Sequence, residues 1–384
     1  MPIGQTPCTE RFLRLREQAA AQPARRIDAG QPVWVFGAGH FGRALARAMQ
    51  AQGLAVAGFV ETTPQAPEVQ GLPVLDWPTL ARTAPHAQLA LGILNHRTPY
   101  DQLITLAKRA GFAAPFMTWE LYDQFGPALG WRFWLGERSV LAAHLERLAQ
   151  VAERLGDDES RETLLRLCAF RLGLDLEFSS FLSTEPHYFN ALTLPPLQGK
   201  AITYIDCGAY NGDTYAELVQ QPGIACGQAF LLEPDPDNYA ALVQRIAGHH
   251  PQAVCLPLAA ADQYSILTFT AGQGEGSAIG SGGNIHVAAA ALDQIVPQAS
   301  VDFIKLDVEG AEALVLQGAR RIIERSRPVL AISLYHNPAD IWELPELLFG
   351  LCQDYKFYIR QHCFNSFESV LYAVPCQDLN KNSL

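Results

Sequence analysis

The stretch Tyr204-Ile205-Asp206-Cys207-Gly208-Ala209-Tyr210-Asn211-Gly212-Asp213-Thr214 decides how the rest of the chain is read. An apolar strand ends in an acid, and a turn with glycines at i and i+4 opens a helix. Glycine lets the backbone approach a ligand closely, and a helix start presents N–H groups with no intrahelical partner. Twenty-one residues after Gly212, Glu233 closes the next apolar strand in Phe230-Leu231-Leu232-Glu233-Pro234. A carboxylate at that point can accept both hydroxyls of a ribose, which predicts an adenosine-containing ligand at the carboxyl edge of a sheet. That geometry suits either a dinucleotide or S-adenosylmethionine. Two features favour the second. The glycines follow GxxxG after an acid instead of the GxGxxG that seats a pyrophosphate. Asp206 and Asp213 also line the turn with acid, which suits an ammonium or sulfonium and repels pyrophosphate.

Working outward, strands are expected at 202–205, 229–232, 254–258, 303–306, 329–334, 357–360 and 370–374, with helices near 214–220, 238–247, 311–323 and 344–352. The last two strands are separated only by residues 361–369, which reads as an antiparallel edge pair on a parallel sheet. A second strand–glycine turn–helix lies nearer the N-terminus. Val33-Trp34-Val35-Phe36 leads into Gly37-Ala38-Gly39-His40-Phe41-Gly42 and a helix near 43–52, and the strand 56–60 ends at Glu61. Gly37, Gly39, Gly42 and Glu61 satisfy the context of a dinucleotide fingerprint and mark a nucleotide site or, equally, a module kept for packing or dimerisation. Between the two, 139–155 and 159–172 carry apolar residues at three- and four-residue steps, with Asp157 or Asp158 as the cap of the second helix. The expected organisation is an N-terminal helical segment (1–29), a Rossmann-like nucleotide-binding module (30–118), a helical connector (119–199) and a second α/β domain (200–384).

The 384 residues are 49% hydrophobic and 17% charged, enough for two or three packed domains. The net charge of −11 is one-sided: residues 200–384 hold 10 Lys/Arg against 20 Asp/Glu, a poor match to a phosphate backbone. Nucleic acid is therefore disfavoured as a partner. No apolar run reaches the roughly 18–20 residues of a membrane span, and the N-terminus lacks a signal peptide's apolar core. Eight cysteines without a CxxC or a nearby ligand-spaced His read as reduced thiols of a cytoplasmic enzyme.

Residues 200–376 resemble the FkbM-type methyltransferases, a branch of the class I S-adenosylmethionine-dependent enzymes. The likeness is carried by Asp206–Thr214, Leu232-Glu233-Pro234-Asp235, Leu258-Ala259-Ala260-Ala261-Asp262, Phe303-Ile304-Lys305-Leu306-Asp307-Val308-Glu309-Gly310-Ala311-Glu312 and Ser333-Leu334-Tyr335-His336. The resemblance implies a seven-stranded class I sheet and methyl transfer to a hydroxyl of a small molecule, sugar or glycan. It also implies that Asp206, Gly208, Asn211 and Gly212, with Ala209, Asp213 and Thr214 in the same turn, hold the amino-acid end of the cofactor. Glu233 would take the ribose and Asp262 the adenine edge. The N-terminal domain is similar to nucleotide-binding modules appended to sugar-modifying enzymes, in Gly37–Gly42, Gly58-Phe59-Val60-Glu61 and Gly71-Leu72-Pro73-Val74.

Asp307 follows a buried strand and is expected near the reacting centre, with Lys305 either catalytic or an ion-pair partner. Glu312 at a helix start suits the helix dipole. His336, after its own strand, is the expected base, since imidazole titrates near neutrality. A divalent metal held by Asp307, Glu309 and His336 is the alternative activator. The run 272–283, with six glycines, reads as a lid or a hairpin tip. An NAD-dependent oxidoreductase working from Gly37–Gly42 and a non-catalytic nucleotide-binding protein stand as rivals. Oligomeric state is open, with a homo-oligomer compatible.

Overall fold

The computed structural model describes residues 8–248, 252–271 and 283–376, so the glycine-rich run 272–282 lies outside the described residues. After a helix at Cys8–Ala21, the first sheet contains β1 (Val33–Phe36), β2 (Val56–Val60), β3 (Glu68–Val69), β4 (Leu72–Leu75) and β5 (Gln88–Leu91), in the order β3-β4-β2-β1-β5. β1 pairs in parallel with both β2 and β5, and all four of its side chains are buried, as its unbroken apolar run requires.

The second sheet has seven strands in the order β14-β15-β13-β12-β6-β7-β8. They are β6 (Ala201–Cys207), β7 (Ala225–Leu232), β8 (Ala253–Leu256), β12 (Phe303–Leu306), β13 (Val329–Ser333), β14 (Tyr355–Gln361) and β15 (Ser369–Pro375). β15 runs antiparallel to both neighbours and lies one strand in from the edge, which β14 forms. A small sheet of β9 (Ala259–Ala261), β10 (Ser265–Phe269) and β11 (Ile285–Ala291), in the order β10-β11-β9, was not anticipated. The helix expected over 311–323 is two, Glu312–Gly318 and Arg320–Ser326. Gly318 packs so closely on β9 that a Cβ there would stand 2.1 Å from the Ala261 carbonyl oxygen.

Between the two sheets in sequence lie helices Thr118–Leu129, Arg138–Ala143, Leu145–Glu153 and Asp158–Arg171. Asp157, not Asp158, caps the last of these, accepting the Ser160 N–H at 2.8 Å. The same carboxylate pairs with Arg360 of β14 at 2.6 Å, and Ser160 Oγ accepts the Ile359 N–H at 3.0 Å. Arg171, 4% exposed, donates to Ser366 Oγ at 2.8 Å. One cap thus fixes both a helix and the edge of the second sheet. No helix among the described residues is long and apolar enough to cross a membrane.

Candidate active site

Register decides the chemistry under the second glycine turn. β6 and β12 pair in parallel with Asp206 opposite Lys305, so the two charges share one buried level of the sheet. Lys305 Nζ lies 3.0 Å from Asp206 Oδ1 and 3.8 Å from Asp307 Oδ2, and donates to the Gly208 carbonyl at 2.7 Å. Tyr204 Oη donates to Asp206 Oδ2 at 2.9 Å. Burial works against the ammonium, but Asp206 and Asp307 outweigh it and raise the Lys305 pKa. Burial raises the Asp206 carboxyl against the pull of Lys305.

The turn above this pair uses left-handed backbone at Gly208 (φ 80°), Tyr210 (φ 48°) and Gly212 (φ 83°). A Cβ on Gly208 would stand 1.9 Å from the Asp307 carbonyl oxygen, so only glycine fits. The N–H groups of Gly208 and Ala209 donate to the Leu232 carbonyl at 3.0 and 2.9 Å. Glu233 accepts the Tyr210 N–H at 2.8 Å on Oε2 and the Asp235 N–H at 2.8 Å on Oε1. Burial raises its pKa to about 7, against those backbone donors.

Beyond β12 and β13, Asp307 accepts the Ser333 hydroxyl on Oδ1 at 2.8 Å, and Tyr188 Oη donates to Oδ2 at 3.3 Å. Burial pushes this carboxyl up, but Lys305, His336 and Ser333 together hold it at about 2. His336 is fully buried. Its Nδ1 meets Glu312 Oε1 at 2.7 Å, while Nε2 lies 3.4 Å from Asp307 Oδ1 and 3.6 Å from Glu309 Oε1. Burial opposes its charge, yet Glu309, Glu312 and Asp307 raise its pKa well above the usual histidine range. Glu309 has φ 54° and an Oε2 that is buried without a hydrogen-bond partner among the described residues. Burial, reinforced by Asp307, Glu312 and Glu368, pushes its carboxyl up to about 8, with His336 pulling the other way. Among the described residues no group of three or more His, Cys, Asp or Glu side chains is arranged to hold a metal ion. Asp307, Glu309 and His336 do meet, as an ion-pair cluster.

A cavity of about 420 Å³ opens where these elements converge, at the carboxyl ends of β6, β7 and β12. Of the residues singled out in the sequence, Gly208, Asp213, Thr214, Glu233, Lys305 and Asp307 line it. Asp206 does not: it is fully buried and supports the turn from below through Lys305. Ala209, Asn211 and Gly212 shape the turn without reaching the wall, and Gly212 packs on Leu242. Asp262 is exposed, and Ala259 and Ala260 of β9 take the wall expected of it. His336 is likewise off the wall, with both ring nitrogens facing carboxylates, and it meets the cavity only through Asp307 and Glu309. Glu309, weighed in the sequence as a helix-opening acid and a metal ligand, lines the cavity, as do Tyr210, Glu217, His187, Tyr188 and Glu368. The aromatic run His187-Tyr188-Phe189 just ahead of β6 was the one available signal for the connector's share.

The N-terminal turn is built alike. Gly37 has φ 103°, a Cβ on Gly42 would lie 2.0 Å from the Gly37 carbonyl oxygen, and Glu61 Oε1 accepts the Ala38 N–H at 3.0 Å. Gly39 has open space where a Cβ would stand. A second cavity of about 150 Å³, between the connector and Trp342, is lined by neither glycine turn.

Residues 206–362 match the family model described as the methyltransferase FkbM domain. No curated protein matches the chain. Among solved structures, a methyltransferase FkbM from Methylobacillus flagellatus KT is 20% identical with a TM-score of 0.73, covering 95% of this chain and 99% of its own. That likeness shows a fold shared across both sheets. Aeropyrum pernix fibrillarin with bound S-adenosyl-L-methionine (14% identical, 47% and 68% covered, TM-score 0.31) and a precorrin-6y C5,15-methyltransferase from Geobacter metallireducens GS-15 (12%, 52% and 97%, 0.31) overlap too loosely to add to it. The buried Asp206–Lys305 pair and the glycine turn above it therefore lie within the stretch, residues 206–362, that matches the methyltransferase FkbM domain.

Proposed function

We propose that the chain transfers a methyl group from S-adenosylmethionine to a hydroxyl of a small molecule, sugar or glycan. The observation that carries this reading is the cavity itself. Its volume lies in the range of small-molecule sites, and its two ends are chemically different. One end is the glycine turn with Asp213, Thr214 and Glu233; the other holds Asp307 and Glu309. The residues fit the cofactor. Gly208 leaves the close backbone approach that any side chain would fill, Glu233 offers ribose hydroxyls the remaining lone pairs of its carboxylate, and the acids suit a cationic head. S-adenosylmethionine, when bound, supplies an electrophilic methyl on a sulfonium centre.

The protein's own contribution is to place an acceptor oxygen and to take its proton. Asp307, held at about 2 with three hydroxyls around it, is a poor base and a good fixed charge. Glu309, with a carboxyl near 8 and an oxygen facing no donor, is matched to proton removal close to neutral pH. His336 and Lys305 act through these acids as positioning residues. Much of the rate then comes from holding the reactants in line.

The test is calorimetric titration of the purified protein with S-adenosylhomocysteine and, separately, with NAD⁺. S-adenosylhomocysteine is expected to bind, and Glu233→Ala to weaken it. Binding of NAD⁺ alone would overturn the proposal in favour of the N-terminal turn.

A further inference from the structure

The far end of the cavity is assembled from three distant parts of the chain. His96 comes from the N-terminal domain, His187 and Tyr188 from the segment ahead of β6, and Tyr335, Cys363 and Glu368 from the edge of the second sheet. His96 is there for a structural reason. Asn365, 1% exposed and with φ 58°, sits in the loop between β14 and β15 and clamps the loop after β5. Its Nδ2 donates to the carbonyls of Asn95 and Thr98, both at 2.8 Å, and its Oδ1 accepts the Tyr100 N–H at 3.1 Å. Phe367 flanks His96 with ring centroids 6.3 Å apart. At its other end this loop begins at Gly92, packed so tightly on Gly37 and Gly42 that no Cβ could be added.

Acids dominate this wall. Asp307 and Glu368 stand at the far end beside Glu309, which gives up its proton only near pH 8, with Asp213, Glu217 and Glu233 at the other. Lys305, the one Lys or Arg on the cavity wall among the described residues, is paired with Asp206 at 3.0 Å. The His187 imidazole is neutral, since burial and the neighbouring His362 lower its pKa to about 3, and it stacks on Tyr188 with centroids 4.2 Å apart. A phosphate or carboxylate placed here meets like charge in a partly desolvated site. Hydroxyl and ammonium donors instead find carboxylate acceptors, the stronger class of hydrogen bond, beside flat ring faces.

Resting on the methyltransferase reading above, we propose that the acceptor is a hydroxylated molecule bearing no phosphate or carboxylate, and that the N-terminal domain binds it directly through His96. The N-terminal domain is then an acceptor-binding part of the enzyme, and His96 a specificity-determining residue.

The experiment uses the full chain saturated with S-adenosylhomocysteine. Saturation-transfer NMR with methyl glucoside, methyl glucosaminide, glucose 6-phosphate and glucuronate reads contact with the far end. The neutral and amino sugars are expected to give signals at least fivefold stronger than the two anions. His96→Ala is expected to cut those signals at least fivefold with S-adenosylhomocysteine affinity changed less than twofold. Arg109→Ala, an exposed residue off the cavity wall, should change neither. Equal or stronger signals from the anions, or none from the neutral and amino sugars, overturns the acceptor class. Unchanged signals in His96→Ala overturn the role of the N-terminal domain. Failure of S-adenosylhomocysteine to bind would instead overturn the methyltransferase reading itself.

Discussion

The two glycine turns share a backbone plan and differ in what lies beside it. In each, a buried strand runs into a positive-φ glycine, a helix follows, and the acid closing the second strand accepts a turn N–H: Ala38 to Glu61 at 3.0 Å, Tyr210 to Glu233 at 2.8 Å. Under the N-terminal turn the strand ends in the apolar Val35-Phe36, flanked by Ala90-Leu91 of β5. Under the C-terminal turn it ends in Asp206, flanked by Lys305. The neighbouring strands β12 and β13 then add Asp307, Ser333 and, just beyond, Tyr335. The lesson is that a strand–turn–helix supplies a place for a ligand, while the adjacent strands supply the reactive groups.

The comparison can be broken most decisively at Glu309. Glu309→Gln is expected to lower methyl transfer about 10²- to 10⁴-fold, the usual contribution of a general base, with S-adenosylhomocysteine affinity within twofold. Turnover of the native protein should rise with pH to a plateau above an apparent value near 8, because Glu309 must lose its proton to act. A pH-independent rate would sink that assignment. Next in size, Lys305→Met leaves Asp206 buried without its cation and is expected to cost about 3–5 kcal/mol of stability, read by urea unfolding. Leu91→Met in β5, the strand that flanks the other turn, should cost less than about 1.5 kcal/mol, as a volume-conserving change.

Paired substitutions of the two strand-end acids come third. Glu233→Ala should weaken S-adenosylhomocysteine by about tenfold or more, the loss of hydrogen bonds to a charged group. Glu61→Ala should leave it unchanged; equal effects would erase the distinction between the turns.

Smaller still is a pH effect on stability. His336 has a folded pKa above its unfolded value, so its contribution is full below about pH 6.5 and declines as pH rises through the folded value. Glu309, also raised on folding, shifts stability in the same direction between about pH 4.5 and 8. Urea midpoints should therefore fall from pH 6 to pH 9, and His336→Ala should flatten much of that slope. Least of all, Gly39→Ala should change stability by under about 0.5 kcal/mol, since nothing lies within 4 Å of the added methyl.

Both turns were legible in the sequence because each is a local pattern: an apolar run, glycines at fixed offsets, an acid about twenty residues later. The strand 303–306 was readable to the residue for the same reason. The β9–β11 sheet was not, because the alanine run of β11 carries no period that separates strand from helix. The carboxylates around His336 were not legible either, because an isolated histidine after a strand says nothing of Glu312, Glu309 and Asp307 closing around it. Glu368 and His96 were invisible for a different reason. Each lies on a loop whose relevance to the cavity is fixed by contacts made elsewhere in the chain.

The Asn365 clamp carries a consequence for how the molecule assembles. The cofactor turn is held by short-range bonds, Tyr210 to Glu233 across 23 positions, whereas Asn365 reaches Thr98, Asn95 and Tyr100 across 265 to 270. Contacts so remote in sequence carry the larger loop-closure cost and form late. Hydrogen exchange would accordingly find the Tyr210 amide protected early in refolding and the Tyr100 amide among the last, so that the glycine turn is in place before the wall that His96 completes.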